Sequence, residues 1–479
     1  MMKRTEKRLT KGTIFGYGLA GIGNNVAASL FYVYFIFFLT TVAGVSPSVA
    51  GAISLIAVLW DGINDPMIGY WSDNCKSKFG RRRPFQISGL VPMCIVITLM
   101  FTNVPFSSAG KSAFYIIINI LFWFLFTWVD VPTIALGDSL EGSYDEKTKA
   151  RTAWTVCVMI GGLLATDLPP VMVDFFEAQG TSVDRAWLYI GLIGAVITFA
   201  AYFISWNATR GKEIIPKQVE AGESSGRKPG FLQQYAAAFR NRPMRYAMFG
   251  ILFIYLGFNG AALPTMNYIL AFNLQLDGAT STIYLLVYSL ASIAGSYILG
   301  AISSRGGEKL GGKAKECGMP FLVYGVLSIL GIVAGSNKVV VLLLFFTLGF
   351  CSSAFFLHGW NLAIDAAKIE QYKTGEDHSC EYTAFIGFAF KIGGAIGMYL
   401  VGMLLGLFGF NGELATQSAS ALLGIEITFY VVSGVFVVIG ALILFKSPLT
   451  RRKLNAILDA IQKKEQGEPV SEEAFADLL

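Results

Sequence analysis

The stretch AVLWDGINDPMIGYWSD, Ala57 to Asp73, sets acidic side chains inside a long apolar run. Asp61 and Asp65 are four residues apart, so a helix places them on one face with Asn64 beside them. A carboxylate at membrane depth costs about 2.5–3.5 kcal/mol on insertion scales, and two on one face repel each other. A bound monovalent cation offsets both costs, and sodium, lithium or a proton would serve. The alternative is a pair of structural carboxylates satisfied by a buried lysine and by hydroxyls.

Membrane depth is the right frame because the whole chain is apolar. Its 479 residues are 54% hydrophobic and 14% charged, against about 25% charged in soluble domains. The apolar residues fall in blocks of about 20, the length of one helical crossing. Twelve spans are expected: 13–42, 48–72, 84–103, 112–140, 152–174, 186–208, 243–272, 280–303, 317–335, 339–366, 383–409 and 421–446. Prolines 66, 92, 132, 169, 170 and 264 lie within them, where bends are tolerated if freed carbonyls find partners. The blocks lack the ten-residue alternation of a barrel. The basic start, Met1 to Lys11, and the long first block predict no cleaved signal. Six scattered cysteines without a CxxC predict free thiols. With two histidines and no HExxH, GxSxG or phosphate loop, the chain is not read as an enzyme. Its net charge of +5 reports orientation rather than nucleic-acid binding.

That orientation follows from the basic residues. Of the 37 lysines and arginines, only Lys111, Arg185 and Lys338 fall on one side, and Lys391 lies inside a span. All the others fall at the termini and the loops of the opposite side, so both termini are expected in the cytoplasm. The only long polar break, around GKEIIPKQVEAGESSGRKPG, lies between six spans and six. The expected fold is therefore an all-α membrane protein of twelve transmembrane helices in two six-helix halves, the major facilitator architecture. Its parts are residues 1–208, a linker 209–242 with a short interfacial helix, residues 243–446, and a cytoplasmic tail 447–479.

Other polar residues sit where lipid should exclude them. Thr127 and Asp130 are three apart in LFTWVDVPTIALGD. Thr127 offers a cation a neutral oxygen, while Asp130 either accepts from substrate hydroxyls or acts as helix–helix glue. Lys391 lies too deep to snorkel easily and needs a buried counter-charge, as part of a coupling network or as a static salt bridge. Asp61, Asp65 and Lys391 together carry one negative charge, which one monovalent cation neutralises. Asn24, Asn25 and Tyr32 line a Gly-rich first span and suit a neutral polyhydroxylated ligand or interhelical hydrogen bonds. Trp128, Trp154 and Trp360 are candidates to stack on a sugar face. His358 is read as a packed histidine rather than a proton carrier.

WDGINDPMIGYWSD followed by SKFGRRRP resembles the signature of the glycoside–pentoside–hexuronide:cation symporters, the melibiose permease-like group. GYGLAGIGNN, TWVDVP, LAIDAAKIEQYKTGE and FKIGGAIG fall in that family's order and spacing. The resemblance implies a cation site at Asp61, Asn64, Asp65 and Thr127, sugar hydroxyls at Asp130, and a coupling lysine at Lys391. It departs at Asn25, where the family pattern has a sugar-binding aspartate, and at Val58 and Ile134. The expected function is cation-coupled symport of a sugar or glycoside across a bacterial inner membrane. Asn25, Tyr32, Trp128 and Asp130 are the candidate substrate residues, and sodium is placed at Asp61 and Asp65. Sodium-coupled carriage of an amphiphile such as a lysolipid, and a non-transporting sensor, are the alternatives.

Overall fold

A computed structural model describes residues 9–73, 75–77, 79–213, 239–375 and 378–479. Most of the expected linker, with its short interfacial helix, lies outside these residues. The described chain is helical, and apart from one isolated bridge between Leu140 and Glu213 it contains no strand. Among the described residues eleven helices are long and apolar enough to cross a membrane, and a bent pair makes a twelfth if it is one span. In chain order we label them α1 (Lys11–Thr41), α2 (Pro47–Asp73), α3 (Arg83–Met100), α4 (Ser108–Asp138), α5 (Tyr144–Asp167) and α6 (Val183–Ala208). They continue as α7 (Arg242–Asn273), α8 (Gly278–Leu310), α9 (Lys313–Ala334), α10 (Lys338–Thr374), α11 (Ser379–Leu407) and α12 (Ala419–Phe445). A last helix, α13 (Arg451–Gln466), lies in the tail.

The fifth crossing breaks where the sequence carries Pro169–Pro170. α5 ends at Asp167 and a continuation, Pro169–Ala178, leaves it at 43°. Proline sits comfortably in a first helical turn and poorly inside one, so the pair restarts a helix instead of continuing it. α10 runs well past the expected end at 366, because AKIEQYKT continues its helix into a segment that the tail covers. Five π-helical turns were not legible from hydropathy: Leu30–Phe35, Leu256–Ala262, Ile269–Asn273, Phe355–Gly359 and Ile427–Val432.

The chain divides into two compact units. One comprises Met1–Ser225, Leu270–Leu285 and Gly402–Ala421, and the other Gly226–Ile269, Leu286–Val401 and Leu422–Leu479. In the first, α1 packs along α5 and α6, α2 along α4, and α3 along α4 and α6. In the second, α7 and α9 pack on α12 and α10 packs on α9. Small residues set the closest approaches: a Cβ on Gly161 of α5 would meet the Ile22 backbone of α1. In the second unit Gly260 of α7 faces Gly397 of α11 in the same way. Such seams replace the hydrophobic drive that lipid cannot supply.

α2 is inverted relative to a soluble amphipathic helix. Ile56, Leu59, Ile63 and Tyr70 are exposed, whereas Ser54, Asp61, Asn64 and Ser72 are buried. An apolar exterior around a polar interior is what an oily solvent selects, and this chain is an integral membrane protein.

Candidate functional site

α2 carries its acids inward against α4. Asp61 is 1% exposed and Thr127 2%. The Thr127 hydroxyl lies 2.8 Å from Asp61 Oδ1 and 3.1 Å from Asp65 Oδ1, so one Oγ1 stands between two carboxylates. A hydroxyl donates one proton at a time, so Thr127 can satisfy only one of the two acids at once. Asn64, fully buried, donates Nδ2 to the Trp123 carbonyl at 3.2 Å. Its Oδ1 is buried without a hydrogen-bond partner among the described residues. The donor set is thus two carboxylates and two neutral oxygens within two helical turns of α2 and one residue of α4. No third His, Cys, Asp or Glu joins them among the described residues to form a metal-holding group. Small hard cations prefer all-oxygen sets of this kind, and a low formal charge suits a monovalent one.

Around this set the other candidates separate. Tyr32 lies within electrostatic reach of both Asp61 and Asp65, its ring 5.7 Å from that of Trp123. Asp130, one turn along α4 from Thr127, is 6% exposed and accepts a 2.8 Å hydrogen bond from Tyr202 on α6. Asn24 also hydrogen-bonds Tyr202. Tyr202 escaped the sequence reading, because one tyrosine in ITFAAYFISW gives no signal until α6 is placed beside α4. Asn25 spends its amide on the α1–α5 seam, donating to Val158 O at 2.7 Å and accepting from Ser29 at 3.3 Å. Trp128 turns toward α3: its indole N–H donates to Ser88 Oγ at 3.0 Å and its ring lies 4.7 Å from Phe85. Trp154 packs on Tyr17, and Trp360 meets Phe390 edge to face. Lys391 belongs to the second unit, half-buried on α11.

The basic loop after α2 anchors the cluster from one end. Arg82 donates to Ala135 O and Ser139 Oγ on α4 and its cap. Arg83 stacks 4.8 Å over Trp206 and donates to its carbonyl at 2.7 Å. Glu213 accepts from the Arg81 backbone at 3.2 Å. Burial raises its carboxyl above the ordinary glutamate range, against the lowering pull of the Arg81 and Arg82 backbone N–H groups and guanidinium charges.

The family described as MFS/sugar transport protein matches residues 16–451. The isoprimeverose transporter of Lactiplantibacillus pentosus is 25% identical over 97% of this chain and 93% of its own length. The glucuronide carrier protein homolog of Escherichia coli K12 is 23% identical over 98% and 99%. Among solved structures, a bacterial homolog of the human lysosomal transporter Spinster superposes with a TM-score of 0.65 at 13% identity, covering 92% of this chain and 97% of that one. The nucleoside transporter NupG superposes with a TM-score of 0.63 at 13% identity, over 91% and 100%. These structural likenesses speak to the fold alone.

Proposed function

This chain belongs to the MFS/sugar transport protein family, and from that premise we propose that it is a cation-coupled symporter of a sugar or glycoside, working by alternating access in a bacterial inner membrane with both termini cytoplasmic. The observation that carries the coupling is buried Asp61 and half-buried Asp65 sharing the Thr127 hydroxyl. Sodium, lithium or a proton enters there, with the two carboxylates supplying charge and Thr127 and Asn64 supplying neutral oxygens. Asp130, held by Tyr202, receives the sugar's hydroxyls, and Tyr32 lies toward the acids. Lys391 belongs to the coupling network, and six-helix halves joined by the linker rock around the loaded site. One net positive charge crossing the full potential gains about 2.3 kcal/mol per 100 mV, so voltage drives uptake uphill.

The sugar assignment draws on relatives named for isoprimeverose and glucuronide. Thermal unfolding of purified protein against a panel of pentosides, hexuronides and lysolipids tests it, each with sodium, lithium or neither. The expected result is stabilisation by one sugar class that grows when the coupling ion is present. Stabilisation by lysolipid alone, or by sugar with no dependence on any ion, contradicts it.

A further inference from the structure

Within the second unit, α9 and α10 face each other through two rungs of ionisable side chains. Lys313 Nζ lies 2.9 Å from Asp365 Oδ1. Glu316 Oε2 lies 3.6 Å from His358 Nε2. Lys313 and Glu316 are three residues apart on one face of α9, and His358 and Asp365 are seven apart on one face of α10. The order is antiparallel, as consecutive helices require. The rungs differ in their access to water. The Lys313 side chain is 35% exposed, and with Asp365 it lines a narrow cleft bounded by Pro243, Ala247, Leu362 and Leu449. The inner rung is dry, with side-chain exposures of 6% for His358 and 5% for Glu316.

Two features of the dry rung call for a purpose. Glu316 Oε2 is buried with no hydrogen-bond partner among the described residues, and 3.6 Å to the imidazole exceeds a hydrogen bond. An ionised carboxylate in that state carries a heavy desolvation cost. His358 also sits inside the π-helical turn Phe355–Gly359, a geometry that recurs at functional positions. One nitrogen and one carboxylate are too few donors for a metal, and no third metal-ligating side chain joins them among the described residues.

We infer that Glu316 and His358 form a proton-binding site, separate from the Asp61–Asp65 cluster and held wholly within the second unit. The proton bonds either to Nε2 of His358 or to Oε2 of Glu316, and its arrival supplies the hydrogen bond that the two groups lack. The wet rung, Lys313 and Asp365, leads from the cleft toward it. The charges that act on the pair are Lys313 from α9 and Asp365 on α10. Of the other titratable groups, Cys317, next to Glu316 in sequence, lies near Cys351 of α10, and Tyr255 of α7 packs on Phe355 in the π turn that holds His358.

The chain's two histidines make the test direct. Full-length protein labelled with ¹⁵N-histidine is titrated in nanodiscs between about pH 5 and 9, the range where imidazoles exchange protons. His378, half-exposed with Nδ1 3.1 Å from Glu381, is the internal reference. The expected result is a pH-dependent change in the His358 nitrogens whose midpoint moves by about one unit or more in Glu316→Gln, with His378 unmoved. Should Glu316→Gln not fold, Glu316→Asp keeps the carboxyl and shifts the midpoint by less. His358 signals that are constant over the range, or that titrate identically in the wild type and in the folded Glu316 variant, overturn the proposal.

Discussion

The Tyr202 hydroxyl on α6 donates to Asp130 Oδ1 on α4 at 2.8 Å, with both side chains buried. The bond fixes a carboxylate one turn from the Thr127 hydroxyl and ties α6 to the helix that carries Thr127 of the proposed cation site. A carboxylate can accept several hydrogen bonds, so the phenol orients Asp130 for a ligand's hydroxyls without using its whole capacity. Tyr202→Phe removes the donor, a change of about 1–3 kcal/mol. Sugar affinity is expected to fall by about 10-fold or more, while ion-induced stabilisation without sugar is preserved. Thermal titrations with and without sugar check both halves of the expectation.

Thr127→Val keeps the shape of the side chain and removes its oxygen. Hydrogen bonds to charged groups are worth about 1.5–3 kcal/mol, so cation affinity is expected to drop by about 10- to 100-fold. Thr127→Ser restores most of it. Ion titrations of the two variants provide the measurement, and equal losses in both would point to packing of the methyl group instead.

Glu213 gives a pH signature outside the membrane spans. Burial raises its carboxyl above the usual 4.5, so the folded chain holds this proton to a higher pH than the unfolded chain does. Its contribution to stability is full below the ordinary glutamate range and is lost as pH rises through the raised value. Glu213→Gln is expected to flatten that part of the stability profile. Unfolding midpoints of the two proteins across weakly acidic to neutral pH show whether the slope disappears.

The tail is docked by a small core of its own. Phe475, fully buried, packs with Ile369, Tyr372, Ile457, Ala460 and Leu478. Tyr372 donates to Glu472 at 2.6 Å, Lys464 donates to the Tyr372 carbonyl at 2.9 Å, and Lys453 pairs with Asp477. Phe475→Ala forfeits about 3–5 kcal/mol of burial and packing, enough to release a segment this short. Limited proteolysis should then cleave after Lys463 or Lys464 in the variant and spare them in the wild type.

The plan of the fold was legible because lipid imposes a simple code. Apolar blocks of one crossing's length and the one-sided basic residues gave the spans, and Asp61 and Asp65 stood out as charges where charges are costly. The structure adds what that code omits. A π turn such as Phe355–Gly359 changes backbone register without changing hydropathy. Asn25 and Trp128 are polar or aromatic residues near a site, and only packing reveals that one braces α5 and the other α3. Tyr202 was silent for the opposite reason, since its partner is 72 residues away in sequence. The docking of α13 was not legible, because its acceptor residues, Ile369 and Tyr372, lie beyond the expected end of the tenth span at 366 and read as a polar loop.

Equilibrium ion binding to the purified protein tests the central claim most directly, with sodium, lithium and released protons followed together for the wild type, Asp61→Asn and Asp65→Asn. The account predicts saturable binding of one monovalent cation per wild-type chain and its loss in both folded variants. Variants that take up all three ions as the wild type does would contradict it.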